Sequence, residues 1–204
     1  MHPEIVVWQE DLLDSAKFAI EWLILFRRRT DADSPASLDG GTGTGFKKVQ
    51  EPEVTHEIYR VMSEMGYLRK KVANMPYIGK EQGYHVVPEA GNIPRTDLLV
   101  KDFGRGLQFN YVELKSFSTW NSRRQELLRK DTRKLHENGG SRGKYCLIYH
   151  VKTGSNLWDT PTIRNAVNER CLEPLGRRSL NGVMVDGNMH EVQIGLFKCR
   201  RIIE

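Results

Sequence analysis

An α/β fold, with a central mixed sheet flanked by helices, is predicted by three features of the sequence. Apolar residues recur at helical spacing in two N-terminal stretches, and three short runs with strand-like patterning follow them. The run at 144–151, KYCLIYHV, is then continuously apolar, as in a strand covered on both faces. A chain of 204 residues, 39% of them hydrophobic, is long enough to bury a substantial core, and one domain with an N-terminal appendage is expected.

Residues 4–28 read as a short apolar run and then a helix, closing on Arg27, Arg28 and Arg29, where cations suit a helix C-terminus. The next stretch, TDADSPASLDGGTGTG at 30–45, is too polar and glycine-rich to pack and reads as a linker. Its glycines begin to match a phosphate-binding loop, but Phe46 stands where that loop needs lysine. These boundaries predict a helical extension with a Gly/Ser-rich linker over 1–48 and a main domain over 49–204. Within it, Val54, Ile58, Val61, Met62 and Met65 predict a helix that Gly66 should end. Strands are expected at 84–89, 96–101 and 108–115. Ser122 and Gln125 have the form of a capping box, which opens a helix to about residue 137. After the strand at 144–151, a helix near 161–172 and a C-terminal hairpin about Asp186-Gly187 complete the order.

The longest apolar run, FAIEWLILF at 18–26, is interrupted by Glu21 and falls far short of the roughly 20 residues that cross a bilayer. No membrane partner is expected. The opening MHPEIVVWQEDLLD lacks the basic, apolar and small-residue order of a signal peptide, so a cytoplasmic location is expected. Cys146, Cys171 and Cys199 are far apart with no C-x-x-C pair, which argues for reduced core thiols and against a disulfide framework or zinc site. The net charge of +5 is modest, but it is concentrated. Residues 115–152 carry ten bases against three acids, an excess of +7 and the electrostatic footprint of a nucleic-acid binder.

The chemistry is expected in RTDLLVKDFGRGLQFNYVELKSF, residues 95–117. Strand alternation puts Glu113 and Lys115 on one side. A turn centred on Arg105 makes residues whose numbers sum to 210 opposite one another, so Asp97 faces Glu113. Like charges directly opposed destabilise a strand pair, and something positive should compensate. Two converging carboxylates form half of an oxygen-ligand site for Mg²⁺, which takes one or two protein carboxylates and otherwise keeps its waters. Lys115 reaches the same site, either to orient a bound water or to help deprotonate it. The competing reading is a solvated strand face with an ordinary ion pair. The opposing Asp97, the apolar neighbours and the basic helix that follows weigh against it.

This pattern resembles the D-x(n)-(D/E)-x-K signature of the PD-(D/E)-x-K nuclease superfamily, which includes restriction endonucleases, repair nucleases and Holliday-junction resolvases. The likeness spans about residues 53–151, with Thr96 where the family's name has proline. It implies a restriction-endonuclease-like core, α-β-β-β-α-β, here carrying an N-terminal helical extension and a C-terminal hairpin. It also implies Asp97 and Glu113 as metal ligands, Leu114 as a ligand through its backbone carbonyl, and Lys115 as the catalytic lysine. Members often carry another acid on the helix before the sheet. On a helical wheel Glu57 lies about 60° from the core face, which makes it the candidate for a second metal or a water bridge. His56 points away. The implied activity is Mg²⁺-dependent hydrolysis of DNA phosphodiesters by an endonuclease, with Mn²⁺ able to substitute. A ribonuclease, or a non-catalytic nucleic-acid-binding module on the same fold, is the alternative.

On the helix from Ser122, Leu127, Leu128, Asp131 and Leu135 share one face. The cations Arg123, Arg124, Arg129, Lys130, Arg133 and Lys134 are candidates for contacts to the DNA backbone, which give salt-sensitive, sequence-independent affinity. Asp131 among the leucines is expected to pair with Arg124 or with the site. Phe117 and Trp120 are candidates for the core or, less favoured, for stacking on a base. The N-terminal helix, apolar nearly all round over 16–26, suggests burial against a second copy or a partner subunit.

Overall fold

The computed structural model describes residues 6–30, 51–73, 84–88, 96–103, 107–117, 122–138, 142–152, 156–185 and 188–203. They form an α/β structure with four α-helices and one six-stranded mixed sheet. In chain order the elements are α1 (Val7–Thr30), α2 (Glu51–Ala73), β1 (Tyr84–Pro88), β2 (Leu98–Asp102), β3 (Gln108–Phe117), α3 (Ser122–Asn138), β4 (Gly143–Lys152), a short 3-10 helix (Leu157–Asp159), α4 (Pro161–Asn168), β5 (Leu172–Val185) and β6 (Asn188–Cys199). The strand order is β1-β2-β3-β4-β6-β5, with β3 and β4 parallel and every other pair antiparallel. The linker stretch lies mostly outside the described residues, as do the turns at 104–106 and 186–187.

Strand alternation sorts the core into two layers. Val112 and Leu114 of β3, Leu147 and Tyr149 of β4, and Ile194 and Leu196 of β6 meet α1 and α2 on one face. Tyr111, Cys146, Ile148 and Phe197 meet α3, the 3-10 helix and α4 on the other. All three cysteines are free and buried in this second layer. The β2–β3 register pairs Leu98 with Val112 and Asp102 with Gln108, so numbers of opposed residues sum to 210, as the turn chemistry predicted.

Four elements differ from expectation. Helix α2 continues past Gly66 to Ala73. A Cβ at Gly66 would lie 2.7 Å from the Tyr84 carbonyl oxygen, so this glycine lets the helix approach β1 closely and does not stop it. The expected helix near 161–172 ends at Asn168, and β5 begins at Leu172, ten residues before the expected hairpin. Pro174 and Gly176 disguise that strand, but β5 is a sheet edge, where proline is tolerated, and the register shifts between those two residues. The apolar face of α1 is used within the chain: Leu12, Leu13, Ala16, Ile20 and Leu23 are buried in the α1–α2 layer, with Phe18 and Trp22 left exposed. The helix expected to seek a partner subunit is therefore built into the chain's own core.

Candidate active site

Just before β2 begins at Leu98, the Asp97 side chain extends the strand pairing, its Oδ2 accepting a hydrogen bond from the Leu114 N–H at 2.7 Å. Leu114 thus meets Asp97 through its N–H; the resemblance had implied a role for its carbonyl. Across the register, Glu113 projects from β3 toward α3 and is only 3% exposed. The Lys134 ammonium lies 2.6 Å from its Oε1. Burial, with the nearby Asp97 charge, pushes the Glu113 carboxyl up to about 8, and Lys134 only partly opposes this. At neutral pH and without a cation beyond Lys134, Glu113 is mostly protonated.

Lys115 lies one pleat further, on the same face. Its ammonium bridges two acids, 3.3 Å from Glu51 Oε1 on α2 and 3.2 Å from Asp131 Oδ2 on α3. The other Glu51 oxygen accepts the Ser116 N–H at 3.0 Å, so one carboxylate from the first turn of α2 fixes both the backbone and the side chain at the end of β3. Burial works against the Lys115 charge, but Glu51 and Asp131 outweigh it and hold its pKa above the ordinary lysine value. Lys115 is therefore a fixed cation, suited to orienting and stabilising negative oxygen and unsuited to taking a proton. Burial raises the Asp131 carboxyl, with Lys115 in opposition.

The structure brings together Asp97, Glu113 and Lys115, and adds three residues. Asp131 pairs with the site, one of its two expected partners. Glu51 replaces Glu57 as the acid contributed by α2, because Glu57 is bound to Arg60 at 2.9 Å on its own helix. The wheel judged Glu57 by closeness to the core stripe, whereas the helix meets β3 with its first turn. Lys134, expected to face outward with the other bases, turns inward onto Glu113. Arg129 and Arg133 are exposed, and Lys130 pairs with Glu126 at 3.3 Å on the surface. The side chains of Arg123, Arg124 and Phe117, and all of Trp120, lie outside the described residues.

Among the described residues the four acids Glu51, Asp97, Glu113 and Asp131 face two ammonium groups, Lys115 and Lys134. Burial is the main cause of the raised Glu113 pKa and the Asp97 charge adds to it, and a divalent cation would offset both. Among the described residues no group of three His, Cys, Asp or Glu side chains is arranged to hold a metal. A site with two carboxylates, Asp97 and Glu113, still matches Mg²⁺, which fills its remaining positions with water. Among the described residues no helix is long and apolar enough to cross a membrane. No family model, curated protein or solved structure matches this chain.

Proposed function

We propose that this protein is a divalent-metal-dependent endonuclease that hydrolyses DNA phosphodiester bonds, on a restriction-endonuclease-like fold. The observation that carries the reading is the convergence of Asp97, Glu113 and Lys115, with Asp97 bound to the N–H of Leu114 between the other two. Asp97 and Glu113 would hold Mg²⁺ or Mn²⁺, which when bound supplies an activated water and neutralises charge on the phosphoryl oxygens. Lys115, locked in its charged form by Glu51 and Asp131, would sit against a non-bridging phosphate oxygen and favour the more negative transition state. Lys134 would leave Glu113 when the metal arrives and become free for a phosphate. The exposed Arg129 and Arg133 on α3 would track the backbone.

Supercoiled plasmid, linear duplex and RNA, each incubated with MgCl₂ or with EDTA, test the proposal. The wild type should nick DNA only with the metal, and Lys115→Ala should lose roughly a hundredfold or more in rate. Nicking that persists in EDTA or in Lys115→Ala would overturn it. RNA cleavage in preference to DNA would reassign the substrate. A second reading, favoured by the seating of Lys134 on Glu113, is a nucleic-acid-binding module whose acids are structural. In that case Glu113→Ala would bind DNA unchanged and with no response to Mg²⁺.

A further inference from the structure

Sheet register carries Lys115 to a second place on the same face. Lys115 pairs with Ile148, Ile148 with Gly195, and Gly195 with Arg177, so one transverse row runs from β3 through β4 and β6 to β5. Three strand spacings of about 4.8 Å put the far end of that row about 14 Å from Lys115. A cleft of about 440 Å³ opens there, lined by Arg177, Ser179 and Gln193 from the sheet and by Asn156 and Trp158 from the connection after β4. Gly195 makes room for that wall: a Cβ there would come within 2.8 Å of the Trp158 ring and within 2.8 Å of Phe197.

The amides and acids of the cleft are fixed in place. Gln193 accepts the Leu157 N–H at 2.7 Å and donates to Asn156 at 3.0 Å and to Glu191 at 3.3 Å. Asn156 donates to Asp159 at 2.8 Å, so both acids of the cleft are engaged. Arg178, which also lines the cleft, is bound by Asp14 at 2.6 Å and by Glu10. The Arg177 guanidinium is exposed and has no partner among the described residues. A rigid wall of amides and an indole beside an unengaged guanidinium has the chemistry of a nucleotide unit: the fork takes a phosphate and the wall offers donors and acceptors to a base.

We propose that this cleft is a second contact for the DNA strand, with Arg177 binding a backbone phosphate about 14 Å from the one cleaved. The inference rests on the nuclease reading for its substrate. Fluorescence anisotropy in EDTA, with a fluorescein-labelled 20-mer duplex titrated at several salt concentrations, tests it. Arg177→Ala should weaken binding roughly three- to tenfold and reduce the slope of log affinity against log salt by about 0.9, the loss of one phosphate contact. Arg177→Glu should weaken it further, and Arg177→Lys should restore the slope but not the full affinity, since a lysine lacks the fork. A slope and affinity in Arg177→Glu equal to the wild type would overturn the proposal and leave the nuclease reading standing. Wild-type binding without metal-dependent cleavage would sink the nuclease reading while the Arg177 slope still decides this one. A wild type that does not bind DNA would overturn both.

Discussion

Glu113→Gln should abolish the pH dependence that this carboxyl imposes on folding. A carboxyl held at about 8 in the folded protein against 4.5 when unfolded retains its proton where the unfolded chain has lost it. Stability must then fall as pH rises from about 4.5 and level off above about 8. The gap of three and a half units, at about 1.4 kcal/mol each, gives a cost of roughly 5 kcal/mol on the alkaline side. Glutamine keeps the shape and drops the charge, at the expense of the contact with Lys134, which is worth about 1–2 kcal/mol. The variant should lie about 1 kcal/mol below the wild type near pH 5 and exceed it by roughly 3 kcal/mol at pH 9. Urea denaturation in EDTA, followed by tryptophan fluorescence from pH 5 to 9, measures the difference directly. Parallel pH profiles for the two proteins would refute the claim that Glu113 is buried beside an uncompensated charge.

Mg²⁺ should stabilise the wild type, by about 2.7 kcal/mol when present at a hundred times its dissociation constant. The gain should be larger at pH 8.5 than at pH 6, because the ion must displace the Glu113 proton, and a denaturation series with and without EDTA reads it. Glu51→Gln, which removes a countercharge from Lys115, should slow metal-dependent plasmid nicking by roughly ten- to a hundredfold. Gly66→Ala, ordinarily worth about 1 kcal/mol in a helix interior, should instead lower stability by about 1–3 kcal/mol, because its Cβ meets the Tyr84 carbonyl. Arg170 follows α4 with φ 59°, closing it with bonds from its own N–H to Val167 and from Cys171 to Ala166. Arg170→Gly should therefore raise stability by about 1 kcal/mol, visible as a higher melting temperature.

The half of the site that depends on strand geometry was legible in the sequence. A period of two and a three-residue turn are local rules, and together they place Asp97 opposite Glu113 and put Lys115 on the same face. The half that depends on helix placement was not. Periodicity says which side of α2 is buried but not how far the helix slides along its axis, so Glu57 was favoured over Glu51, which reaches β3 from the first turn. Charge counts likewise treat all bases of α3 as one surface. Lys134 lies one turn beyond Lys130, and only the packing of Leu128 and Leu135 aims it at Glu113 while Lys130 stays in solvent. The first ten residues of β5 escaped notice because a proline and a glycine mimic a loop wherever the sheet order is unknown.

The link between Glu51 and Lys115 joins residues 64 positions apart, and Asp131 closes the same knot from the far side. No contiguous fragment shorter than residues 51–131 contains all three members. The constellation must therefore appear late and as a whole, once helix and sheet have found each other against the entropy of a long closure. A chain cut anywhere between residues 51 and 131 would carry the individual acids without the covalent connection that brings them together.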